Sequence, residues 1–311
     1  MDDDRRTQMD RRGMLRCLGW AGAGAVFSVS GGVLSSVSLD RALAGPGPSA
    51  SFSFVQVSDS HIGFAKPANP DARVTFREAV AKIRAMPQRP DFIIHTGDVS
   101  QLSRHEEFDD ADMILGEAGI QTFHIPGEHD VLDDGHGAAF LQRYGKGSAG
   151  DGWFSFDHKG AHFVGLVNVR SLQAGGMGQL GTEQLAWLKA DLASRRDSTP
   201  IVVFAHIPLW TLYADWGWGT DDGAQALELL RRFGSVTVLN GHIHQLAQKV
   251  EGNITFHTAR STAFPQPAPG TAPAPGPMLV PSDLLRSVLG VRTVQVRRGS
   301  DPIALIDQAL A

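Results

Sequence analysis

Phe52-Ser53-Phe54-Val55-Gln56-Val57-Ser58-Asp59-Ser60-His61 is the stretch that decides the fold. Six residues with the spacing of a buried strand lead into a carboxylate and an imidazole two positions apart. An apolar run leading into one or more metal-ligating residue types returns four times downstream. Phe92-Ile93-Ile94 leads to Asp98, and Thr122-Phe123-His124-Ile125 to Glu128-His129-Asp130. Ile201-Val202-Val203-Phe204-Ala205 leads to His206, and Val236-Thr237-Val238-Leu239 to His242 and His244. Open α/β sheets bind ligands beyond the carboxyl ends of their strands, so these side chains are placed to converge. One such histidine would be an ordinary polar residue. Several metal-ligating residue types repeated at strand ends point to a metal site.

Between these runs the period changes from two to 3.6. Asp71–Met86 carries an apolar stripe of Ala72, Phe76, Ala79, Val80 and Ile83, and Arg104–Ala118 another of Phe108, Ala111, Ile114 and Leu115. Strands alternating with helices imply right-handed crossovers and a largely parallel sheet. Trp153–Asn168 and Leu246–His257 instead have the pattern of two hairpins. Thr182–Ala193 is an amphipathic helix with Thr182 in the N-cap position, and a further helix covers about Asp222–Arg232. Seven prolines between Pro265 and Pro281 mark a loop, and Thr293–Val296 and Ile303–Ile306 have the pattern of closing strands.

The five segments, in order, resemble the calcineurin-like metallophosphoesterase superfamily over about residues 52–260. Its D-x-H, G-D, G-N-H-D/E, lone H and G-H-x-H appear as Asp59-Ser60-His61, Gly97-Asp98, Gly127-Glu128-His129-Asp130, His206 and Gly241-His242-Ile243-His244. The resemblance implies an α/β fold, a four-layer αββα sandwich of two mixed sheets flanked by helices. It also implies two transition-metal ions, Fe, Mn or Zn, bridged by Asp98. Asp59, His61 and His244 would complete one metal, and Glu128, His206 and His242 the other. A metal-bridging hydroxide would attack a small phosphodiester or phosphomonoester in line. His129 matches the family's transition-state histidine, and Asp130 is expected to orient it.

Glu128 stands where the family has asparagine. If it faces the metals, its charge tightens one site. If it turns away, the chain is a metal-binding but catalytically impaired protein acting as a binding module. Gly178–Leu188 looks like the cyclic-nucleotide phosphodiesterase and purple-acid-phosphatase-like branch, but Val99-Ser100-Gln101 after Asp98 lacks the tyrosine of true purple enzymes. The rings of Trp210, Tyr213 and Trp216 follow His206 and would contact substrate or fold onto the protein as a lid.

Residues 1–44 have the pattern of a cleaved twin-arginine signal: Arg11-Arg12, an uncharged weakly apolar stretch from Cys17 to Leu39, then Ala42-Leu43-Ala44. Residues 45–311 would then be one metallophosphoesterase domain, periplasmic or secreted, delivered by the twin-arginine export machinery and without a stable membrane span after cleavage. Cys17 is the single cysteine, so the expected mature chain has no disulfide or thiolate site. With 28 Lys and Arg against 33 Asp and Glu, a net charge of −5 carries no nucleic-acid footprint.

Overall fold

The computed structural model describes residues 25–30, 33–38, 51–170, 176–296 and 303–311. The chain divides into two compact units, residues 1–51 with 296–304 and residues 52–295 with 305–311. In the first, strand β1 (Ala25–Ser30) pairs antiparallel with β2 (Val33–Ser38). The twin-arginine residues and the expected cleavage site lie outside the described residues. Among the described residues no helix is long and apolar enough to cross a membrane.

The second unit is built on two sheets. The five-stranded sheet has the order β13 (Ala304–Ala309), β12 (Gly290–Val296), β3 (Phe52–Val57), β4 (Ile93–His95), β5 (Thr122–His124). The six-stranded sheet has the order β10 (Gln248–Glu251), β11 (Ile254–Thr258), β9 (Val236–Asn240), β8 (Ile201–Ala205), β7 (Ala161–Gly165), β6 (Phe154–His158). β3, β4 and β5 run parallel, as do β7, β8, β9 and β11. The two expected hairpins, β6–β7 and β10–β11, are antiparallel and occupy the edges of the second sheet.

Side-chain alternation builds the layers. On β3, Phe54 turns toward β7 and meets Phe163 edge-on at 5.4 Å, while Val55 and Val57 pack with Ala79 and Ile83 of the helix Ala72–Arg84. Phe123 stacks on Phe156 at 4.0 Å, extending an aromatic seam between the sheets. On β8 and β9, Ile201, Val203, Val236 and Val238 face the helices Thr182–Ala193 and Gly223–Leu230. The result is the αββα sandwich that the family resemblance implies.

Two local readings change and the Pro-rich loop is as expected. The N-cap of Thr182–Ala193 is Gly181, not Thr182, because Asp222 accepts the Leu180 and Gly181 N–H groups at 2.9 and 2.8 Å. β5 is only half-buried, as expected of the last strand of its sheet. Residues 265–281 form neither helix nor strand, and Pro275–Pro277 return to the cleft beside the strand ends.

Candidate metal centre

Five strand ends deliver the candidate side chains to one place. Asp59 and His61 follow β3, Asp98 follows β4, Glu128–Asp130 form a single 3-10 turn after β5, His206 follows β8, and His242 and His244 follow β9. Asp59, His61, Asp98 and His244 bring ligand atoms within 4.8 Å of one another, and so do Glu128, His206 and His242. Asp98 joins the two sets: its Oδ2 is 3.5 Å from His61 Nε2 and 3.4 Å from His206 Nε2. In the first set His244 Nε2 lies 3.3 Å from Asp59 Oδ1 and 3.2 Å from His61 Nε2. In the second, Glu128 spans both imidazoles, with Oε2 2.8 Å from His206 Nε2 and Oε1 2.9 Å from His242 Nδ1. Glu128 therefore faces the cluster and does not turn away.

The backbone is bent to make this possible. Asp59, His61, Asp98, His242 and His244 all adopt left-handed conformations, with φ between 42° and 68°. Such residues each cost about 1–3 kcal/mol and gather at functional sites. A Cβ on Gly127 would collide with Asp98, and one on Gly241 with Ser58 and Asp59, so both glycines allow the loops to close on the cluster.

The donor chemistry fits divalent transition-metal ions. His206 and His244 donate Nδ1–H to the carbonyls of Thr96 (2.7 Å) and Phe264 (2.6 Å), which leaves each Nε2 lone pair turned to the cluster. Asp59 Oδ2 is buried without a hydrogen-bond partner, and Glu128 Oε2, His206 Nε2 and His242 Nδ1 are buried at the distances given above without forming a well-aligned hydrogen bond. Buried polar atoms are almost always paired, so four such atoms at one point are lone pairs awaiting a cation. Electrostatics agree. Burial disfavours charge on His206, but Asp98 and Glu128 more than reverse that and hold its pKa well above the usual imidazole value. Positive charge is thus stabilised between them. Burial lowers the pKa of His61 to about 3, keeping it neutral and able to donate a lone pair.

This geometry has relatives. The family model for calcineurin-like phosphoesterases matches residues 52–246, which carry all five segments. The chain belongs to the calcineurin-like phosphoesterase family. It is similar to a glycerophosphodiester phosphodiesterase of Enterobacter lignolyticus, 28% identical over 200 residues that span 61% of this chain and 69% of the relative. A probable cyclic nucleotide phosphodiesterase of Psychrobacter arcticus is 24% identical over 233 residues, 70% of this chain and 82% of the relative. Among solved structures, a dimetal phosphatase from Danio rerio superposes with a TM-score of 0.60 at 16% identity, covering 84% of this chain and 99% of its own. The chain is a metal-dependent phosphoesterase of that family.

Within this phosphoesterase, one expected contact is absent and another takes its place. Asp130 makes no hydrogen bond to the ring of His129. It accepts hydrogen bonds from the backbone N–H groups of Val99 (3.0 Å), Ser100 (2.8 Å) and Gly127 (2.9 Å) and from Ser100 Oγ (2.8 Å), clamping the Asp98 loop to the Glu128 loop. His129 is oriented instead by the carbonyl of Gln101, which accepts from its Nδ1 at 2.8 Å. A backbone acceptor has no residue signature, which is why the sequence suggests the neighbouring carboxylate. Burial opposes a proton on His129, yet Asp98, Glu128 and the Gln101 carbonyl together raise its pKa.

The cluster opens into a cleft of about 260 Å³. Of the rings after His206, Trp210 packs on Phe256 at 4.9 Å, and Trp216 is 7% exposed, wedged between Tyr213 and Trp218. These rings fold onto the protein; the tryptophan that lines the cleft is Trp218. Phe264, Gln266 and Pro275–Pro277 form another part of the wall. Their composition marks a loop and nothing about a site, so sequence reasoning missed them.

Proposed function

We propose that this chain is an exported two-metal phosphoesterase and that its substrate is a phosphodiester rather than a monoester. The observation that carries the reading is a pair of ligand sets linked by Asp98, which reaches His61 in one and His206 in the other, each with buried unpartnered polar atoms. Asp59, His61, Asp98 and His244 would hold one cation, and Glu128, His206 and His242 with Asp98 the second. Two divalent cations in such a site activate water at neutral pH and polarise the phosphoryl oxygen. The chain's own residues do the rest. Asp98 sets the spacing of the two sets, and Asp130 fixes the loops that carry Asp98 and Glu128. His129, held by Gln101, gives its Nε2 proton to the departing ester oxygen, a role suited to its raised pKa. Two relatives named as phosphodiesterases support the diester, and the twin-arginine pattern at Arg11-Arg12 supports a periplasmic or secreted location.

The test is elemental mass spectrometry of the purified chain alongside turnover of bis(4-nitrophenyl) phosphate. Two transition-metal ions per chain with turnover are expected, and a mature amino terminus at Gly45. One ion and no turnover after incubation with Mn²⁺ would return the chain to the binding-module reading. Glu128→Asn is expected to fold normally and to change metal preference or rate; identical metal titrations in both forms would remove Glu128 from the ligand set.

A further inference from the structure

Among the described residues Lys66 is the only lysine or arginine that lines the cleft. It stands exposed on a tight turn closed by two backbone hydrogen bonds, Lys66 N–H to Asn69 O at 3.1 Å and Asn69 N–H to Lys66 O at 2.9 Å. The turn is anchored from below. Asn69 is 2% exposed and donates through Nδ2 to Ala263 O (2.7 Å) and Thr75 Oγ1 (2.9 Å). Lys66 Nζ lies 5.9 Å from the ring of Phe64, which packs at a tilt against Phe264 at 4.3 Å; both rings belong to the cleft wall. Among the described residues Lys66 makes no ion pair, unlike Arg73, Arg77 and Lys159; Lys146 and Lys189 are unpaired too, but of these only Lys66 lines the cleft. A cation whose backbone is fixed at the rim of a small cleft, and left without an anion, is a recognition element for a negative group of the ligand.

We infer that Lys66 is a specificity-determining residue and that the substrate is a phosphoester with a second anionic group, a carboxylate or phosphate, on an ester arm. The inference rests on the phosphoesterase reading above. With cations bound, the carboxylates of the cluster would be neutralised, which leaves Lys66 to pair with charge carried on the arm. The same cation repels arms ending in an ammonium group.

The test uses the Mn²⁺-loaded protein and 4-nitrophenyl phosphodiesters whose second arm is methyl, 2-carboxyethyl or 2-(trimethylammonio)ethyl. Wild type is expected to prefer the carboxylate arm over the ammonium arm by about tenfold in kcat/KM, and less so as salt rises. Lys66→Gln brings the ratio to within about twofold, and Lys66→Glu inverts it. A wild-type ratio near one, or a preference that survives Lys66→Gln, overturns the inference. Absence of turnover of bis(4-nitrophenyl) phosphate defeats the hydrolase reading separately. In that case calorimetric binding of 3-phosphonopropionate against ethylphosphonate decides. Tighter binding of the carboxylated phosphonate, lost in Lys66→Gln, supports the subsite, and equal or absent binding overturns it.

Discussion

His162 and His206 are both fully buried, one in β7 and the other just past the end of neighbouring β8, but their nitrogens meet different fates. His162 Nδ1 bonds Asp157 at 2.9 Å and Nε2 bonds Asp191 at 2.7 Å. Ser155 Oγ donates to the second oxygen of Asp191, and Arg195 pairs with both oxygens of Asp157. Both nitrogens of His162 and all four oxygens of Asp157 and Asp191 have partners, so the group clasps the β6–β7 hairpin to the helix Thr182–Ala193. His206 has one nitrogen paired with a carbonyl and the other orphaned among carboxylates. Identical residue types thus make a structural clasp when satisfied and a candidate ligand set when left open. The backbone separates them too: left-handed residues crowd the open cluster, whereas Asp157, His162 and Asp191 have ordinary φ values.

Substitutions should divide along this line. Asp98→Asn is expected to reduce diester turnover on the order of 10³-fold or more, since it removes the group shared by both sets, while the fold survives. Full metal content and turnover in that variant would break the comparison. His129→Gln should lower kcat about 10²-fold with metal content unchanged, and altered metal content would instead make His129 a ligand. His162→Leu should do the reverse, costing about 3 kcal/mol in denaturant unfolding because Asp191 loses its buried partner. Its turnover per folded molecule should stay within about twofold of wild type. A large loss of turnover at full folding would show that the clasp reaches the chemistry.

The smallest effect concerns a buried histidine with no carboxylate partner. Burial, assisted by Arg292, lowers the pKa of His257 to about 3, below its unfolded value of about 6.5. The unfolded chain therefore binds the proton first as pH falls. Stability is complete above about pH 6.5 and declines toward pH 3, by about 2 kcal/mol at pH 5. His257→Phe should flatten that acid limb relative to wild type when unfolding is compared at pH 7.5 and 5. Parallel curves for the two proteins would show that His257 is not the group responsible.

The sequence by itself determined most of the strands and which strand-end residues could form a ligand cluster. Buried strands need continuous apolar runs, and the residues just past a strand's end are free to face a ligand, so Phe52–Val57 with Asp59 and His61 is legible one residue at a time. It could equally mark Glu128 as a departure from the family pattern without saying where the side chain goes. Only the tertiary structure decided that Glu128 spans His206 and His242, that Gln101 rather than Asp130 holds His129, and that Trp218 instead of Trp210 or Trp216 lines the cleft. The carbonyls of Thr96 and Phe264 that fix His206 and His244 were likewise invisible. The reason is physical. Periodicity records which face of an element is buried, whereas backbone acceptors and contacts between distant loops depend on how the chain is packed, and those carry no residue-type signal of their own.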